Sequence, residues 1–343
     1  MDSKRLIILS VLALFMVAGC GSSQTATKQN DQTETTDEKK KKSKKYSEVI
    51  TSKAVTDEGL FILHRLDEKL YFEIPKSLYD KPMLLVSRIA QTPRDIHPFI
   101  SAGTKSAEQV VRWHQKDDKI LLRRKSYESV VDTTLPIAKS VVVNNFDPII
   151  MSFDIETTSP DSKRVVIDAT KLFMDDVDAI SGLRSSQRSE FKVRRLDKSR
   201  TFIDEAKSFP ENINILHTMT FDAGETPSND GTGSISIQMN QSMILLPEEP
   251  MMPRQADSRV GYFSVNQINY GSDAQKADEQ TFIRRWRLIP KDKEAYMNGQ
   301  LVEPVDPIVY YLDPATPDKW RSYFCQGVED WQVAFESAGF KNA

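Results

Sequence analysis

The segments Ile213-Asn214-Ile215-Leu216-His217-Thr218-Met219-Thr220-Phe221 and Ile235-Ser236-Ile237-Gln238-Met239-Asn240-Gln241-Ser242-Met243-Ile244-Leu245 decide the fold class. Ile213, Ile215, Met219 and Phe221 share one parity, and so do Ile235, Ile237, Met239, Met243 and Leu245 in the second segment. Ser236, Gln238, Asn240 and Ser242 fall between the apolar positions. A repeat of two puts one set on one face of a pleated strand. The intervening stretch carries Asp222, Gly224, Pro227, Ser228, Asn229, Asp230, Gly231 and Gly233, residues that form turns. One long β-hairpin is expected.

The same period recurs outward from this hairpin. Ile149, Met151, Phe153 and Ile155 alternate with Ser152, Asp154 and Glu156. Residues 109–114 and 119–124 read as a tighter hairpin turning through Lys116-Asp117-Asp118, and residues 83–89 and 164–169 add strands. The expectation is a mainly β, antiparallel domain with one wetted face over residues 46–300, with a subdomain break allowed near 100–140. Helices are few; short ones are expected at residues 175–183 and 204–208. The end differs. Ile308-Val309-Tyr310-Tyr311-Leu312 reads as a buried strand. Thr316 and Pro317 then open an amphipathic helix of about six turns along Trp320, Phe324, Val328, Trp331, Phe335 and Ala338, stopped by Gly339.

At the N-terminus, Lys4 and Arg5 precede an apolar run over residues 6–17. It is shorter than the roughly 20 residues a spanning helix needs and suits a cleaved signal peptide. Val17-Ala18-Gly19-Cys20 resembles the bacterial lipobox, which implies removal of residues 1–19 and lipid attachment at Cys20. Two or three acyl chains, at about 0.8 kcal/mol per buried CH₂, would hold the chain to a membrane. Residues 20–45 are a polar tether too poor in apolar side chains to fold, and its basic end, residues 39–45, reads as a solvated linker. The expected location is the cell envelope, and the outer membrane in a Gram-negative cell.

The net charge of −3 over 343 residues argues against nucleic acid as a partner. Cys325 is the one cysteine besides Cys20, so no internal disulfide is expected. A zinc hydrolase needs ligands on rigid elements, typically two histidines a helical turn apart. His64, His97, His114 and His217 make no such pair. His217 shares the core parity of its strand and reads as a satisfied core histidine; His114 lies on a wetted face and His97 in a loop before Pro98. No Gly-x-Ser-x-Gly elbow or phosphate-binding loop occurs. Cys325 reads as a buried, inert thiol. Residues 251–263 read as a structured loop, the alternative being an extended stretch held by Arg–carboxylate pairs. No catalytic residue, metal ligand or cofactor site is assigned.

Several stretches resemble a family of bacterial zinc-dependent metalloprotease lipoproteins whose N-terminal regions are domains of unknown function. They are Val55-Thr56-Asp57-Glu58-Gly59-Leu60-Phe61, Phe72-Glu73-Ile74-Pro75, Leu84-Leu85-Val86-Ser87-Arg88, Asn145-Phe146-Asp147-Pro148, Phe191-Lys192-Val193-Arg194-Arg195-Leu196-Asp197 and Ser208-Phe209-Pro210-Glu211-Asn212, together with residues 251–263 and 307–340. The resemblance implies that residues 301–343 hold the first strand and helix of an incomplete α/β, metzincin-like catalytic domain. It also implies that the His-Glu-x-x-His zinc motif would follow them, so no family metal or catalytic residue transfers to this chain. The expected function is that of a membrane-anchored lipoprotein, inactive alone, with zinc in a catalytic half. The alternative is a non-enzymatic envelope lipoprotein whose β domain binds peptide or glycan. Its expected partners are the membrane, through lipid on Cys20, and a catalytic half or a peptide.

Overall fold

The long hairpin forms over Asn212–Ala223 and Ser234–Leu245, in unbroken antiparallel register from Asn212 opposite Ile244 to Asp222 opposite Ser234. The computed structural model describes residues 44–228, 231–272 and 275–343. Cys20, the signal-peptide segment 1–19 and nearly all of the tether lie outside the described residues. In chain order the strands are β1 (Val55–Glu58), β2 (Ile62–Leu66), β3 (Lys69–Pro75), β4 (Met83–Gln91), β5 (Lys105–Lys116), β6 (Lys119–Lys125), β7 (Ser129–Val130), β8 (Ile149–Thr158), β9 (Arg164–Asp168), β10 (Val193–Leu196), β11 (Phe202–Ser208), β12 (Asn212–Ala223), β13 (Ser234–Leu245), β14 (Ser264–Asn269) and β15 (Asp278–Ile283). The helices are α1 (Tyr46–Val49), α2 (Ala138–Asn144), α3 (Thr170–Met174), α4 (Ser185–Glu190), α5 (Lys293–Met297), α6 (Asp318–Glu329) and α7 (Gln332–Ser337).

Among the described residues, twelve strands form one antiparallel sheet in the order β1-β2-β3-β9-β8-β6-β5-β4-β13-β12-β10, with β11 also on β12. The sheet nearly closes on itself. The seam between β1–β2 and β11 is joined by single bonds instead of a ladder. Arg65 donates to the carbonyls of Ile203 and Asp204, Leu60 N–H to Phe209 O, and Ser208 N–H to the Asp57 carboxylate. Gly59 is required there, because a Cβ would stand 2.6 Å from the Phe209 backbone. The β2–β3 and β5–β6 turns place Asp67 and Asp117 at positive φ, which a short polar side chain tolerates.

The enclosed face is filled. Phe61, Phe72, Trp113, Phe153 and Phe173 pack ring against ring, with centroids 5.6–6.2 Å apart. A second cluster lies where β12 and β13 wrap Leu183 and Phe191. Fully burying a side chain of this size contributes roughly 1.5–3 kcal/mol, so the fold needs no covalent staple. A separate three-stranded sheet, β15-β14-β7, stands outside, with β7 parallel to β14.

Five sequence expectations are corrected. Residues 204–208 belong to strand β11, because the outer edge of β12 is open to pair with them. The α-helix near 175–183 is α3, which ends at Met174; within the expected stretch only a single 3-10 turn, Asp178–Ile180, is helical, and Gly182 then passes against Met239 and Ile237. Residues 308–312 are neither strand nor buried; Val309, Tyr310 and Tyr311 are exposed, since no neighbouring strand within the described chain completes a ladder. The long terminal helix is two, α6 and α7. The bonding tightens between them, where Trp331 N–H reaches Val328 O and Ala334 N–H reaches Trp331 O. Gly339, at φ +92°, does end the run. Cys325, expected to be buried, is exposed, because α6 has no cover.

Candidate functional site

Three groups of polar side chains and one apolar surface are candidates. The first group is inside. His217, on β12, is fully buried, as its parity implied. Its Nδ1–H donates to Phe173 O at 2.8 Å, so Nε2 is the acceptor for the Gln241 amide at 3.0 Å. Gln241 also donates to Ile180 O and accepts from the Ser87 hydroxyl. Burial pushes the His217 pKa down to about 4. A second proton on Nε2 would face the Gln241 NH₂, a donor, so the geometry enforces a neutral ring. The group ties residues 170–191 onto β4, β12 and β13. The enclosed space beside it, among Leu85, Leu172, Phe173 and Met243, is about 10 Å³. That is at the limit of about 10–15 Å³ for one water and too small for a substrate.

The second group crosses β1, β2 and β3. The Thr56 hydroxyl lies 2.8 Å from His64 Nδ1, and His64 Nε2 lies 3.0 Å from the buried Glu73 carboxylate. Tyr46 of α1 donates to the same carboxylate oxygen at 2.7 Å. Burial works to raise the Glu73 pKa, but bonds from His64 and Tyr46 and the nearby Arg164 hold it below the usual value. Burial and the bond to Glu73 push the Tyr46 hydroxyl up. Hydroxyl, imidazole and carboxylate stand in sequence, yet the far end of the chain is consumed by Tyr46. The arrangement staples the edge strand and α1 to the sheet.

The third group is on the outer face of β5 and β6. Asp147 is buried and takes Arg112 Nη2 at 2.9 Å and Lys125 Nζ at 3.7 Å. Its carbonyl accepts from Arg123 Nε and Nη2. The Arg123 guanidinium also lies 4.3 Å over the exposed ring of Phe146. This group latches the excursion 126–148, which carries α2 and β7, to the sheet. His114 beside it donates to Asp80 at 2.9 Å. His97, in its loop, accepts from Phe99 N–H.

Each histidine is thus committed to a separate partner, and among the described residues no group of three or more His, Cys, Asp or Glu is placed to hold a metal ion. Zinc does not fit any of these sites. No helix of the described residues is long and apolar enough to cross a membrane.

The apolar surface belongs to residues 250–343. Neither α6 nor α7 has a buried residue, and Trp320, Tyr323, Phe324, Val328 and Trp331 are all exposed. Residues 251–263 form the expected loop, with a local Asp257–Arg259 pair. Sequence reasoning missed the Glu73 and Asp147 centres. Asp147 and Glu73 both sit in stretches that carry the family resemblance, residues 145–148 and 72–75, a signal that could have marked them. Glu73 and His64 meet only through the β2–β3 register.

Residues 103–291 match a family model described as domain of unknown function DUF5117, and residues 43–92 match one described as domain of unknown function DUF5118. Strands of both segments lie in the twelve-stranded sheet, while β7, β14 and β15 of the DUF5117 segment form the separate three-stranded one. No curated protein and no solved structure matches the chain.

Proposed function

The chain belongs to the DUF5117 family, and from the resemblance of its segments, residues 55–61 and 145–148 among them, to zinc-dependent metalloprotease lipoproteins we propose that it is the anchored, non-catalytic front part of such a protein. Lipid on Cys20 would hold it in the cell envelope, at the outer membrane of a Gram-negative cell. The filled barrel acts as a scaffold, and a catalytic half supplies the zinc site. One observation carries this reading: α6 and α7 turn an aromatic stripe to solvent, the form of an element whose packing partner is another body. Patches beyond a few hundred Å² of apolar surface mark interaction sites in proteins that otherwise hide them.

The test is reconstitution with a metzincin-like catalytic domain carrying His-Glu-x-x-His. The mixture should bind through α6 and cleave peptides in a chelator-sensitive way, while residues 46–343 alone should hold no stoichiometric zinc and cleave nothing. One tightly held zinc per isolated chain, or failure of the catalytic domain to bind it, refutes the proposal.

A further inference from the structure

A second exposed surface lies on the outer sheet and the segments beside it. Arg284 N–H donates to Phe263 O, Ile283 N–H to Arg254 O, and Arg285 Nη2 to Met252 O at 2.8 Å. The Trp286 ring stands 6.1 Å from Tyr310. These contacts make the segments that carry Met252, Arg254, Phe263, Arg284, Trp286 and Tyr310 neighbours. Met252 is 79 % exposed, Phe263 88 %, Trp286 55 % and Tyr310 61 %. The ion pairs nearby are Asp257–Arg259 and Lys291–Glu303; among the described residues, no carboxylate lies within 4 Å of the exposed guanidinium groups of Arg254, Arg284 and Arg287.

Resting on the reading that the chain works with a polypeptide partner, we propose that this surface docks a polypeptide face that presents carboxylates beside apolar side chains. Aromatic residues, methionine and arginine are the residues enriched at protein interfaces, and lysine is depleted there. Residues 246–290 hold five arginines, at 254, 259, 284, 285 and 287, and a single lysine, Lys276. A membrane surface attracts lysine and arginine alike. The planar fork of arginine instead matches a carboxylate through two parallel bonds. A second copy of this chain is the poorer complement, since many of its carboxylates are engaged by its own cations, as Glu248 is by Lys81 and Asp222 by Arg195 and Arg200.

The probe is a random copolymer of glutamate and tyrosine, titrated against the full-length chain, with polyglutamate as its apolar-free control. The copolymer should bind more tightly than polyglutamate, and the double variant Arg284→Glu/Arg287→Glu should weaken it by about tenfold or more. The variant should melt with the wild type, because both side chains are exposed. Equal binding by wild type and variant overturns the proposal. So does capture by phosphatidylglycerol vesicles that the variant abolishes, which assigns the surface to lipid. A concentration-dependent dimer lost in the variant overturns it in favour of a second copy. Chelator-sensitive proteolysis in the reconstituted mixture reads the functional proposal separately, so either can fail while the other stands.

Discussion

Replacing His217 with leucine should remove an acid sensitivity that the fold builds in. The imidazole is fully buried, with its pKa lowered from 6.5 to about 4. A group depressed in the folded state binds its proton more readily when unfolded. Its stabilising contribution is therefore complete above pH 6.5, falls as the pH drops through that window, and is gone below about 4. A gap of about 2.5 pKa units is worth about 3 kcal/mol, of which about 2 kcal/mol is already lost at pH 5. His217→Leu has a different, constant cost. It leaves Phe173 O without its donor and removes one acceptor of the Gln241 amide. An unpaired buried group of this kind costs about 1–3 kcal/mol at any pH. Wild type should be the more stable at pH 7, and the two should converge near pH 5. Urea unfolding followed by the fluorescence of Trp113, which is fully buried, gives both free energies. Other carboxylates titrate in both proteins and cancel in the difference. A wild-type-minus-variant gap that is the same at pH 7 and pH 4.5 would refute the reasoning.

Asp147→Asn should loosen residues 126–148, since Arg112 and Lys125 lose their shared carboxylate; because Arg112 is partly exposed, about 1–3 kcal/mol is expected, read as faster hydrogen exchange in that excursion and in β14. Gly59→Ala should cost about 1–3 kcal/mol by forcing a methyl onto the Phe209 backbone, and a wild-type melting temperature would show that the seam is not tight. Deleting residues 315–343 should leave the barrel folded and the protein more soluble, because no residue of α6 or α7 is buried; unfolding of the whole domain would make those helices part of it. Labelled palmitate should enter the wild type and not Cys20→Ala, and equal labelling of the two would end the lipoprotein reading.

The alternation along residues 213–221 and 235–245 determined the hairpin, its register-bearing face and the burial of His217, because a period of two assigns each side chain to a face whatever lies opposite. The same rule read β5, β6, β8 and β9. It stopped where the answer depended on what covers a face or edge. Residues 204–208 look helical alone and become β11 only because β12 offers an open edge. Residues 308–312 are as apolar as a buried strand, yet are not buried, because among the described residues no neighbouring strand pairs with them. Cys325 follows α6 into solvent for a similar reason. His64 meets Glu73, and Asp147 meets Arg112 and Arg123, through strand pairing and a docked excursion. These are long-range choices that local spacing does not encode, so tertiary structure alone decided them.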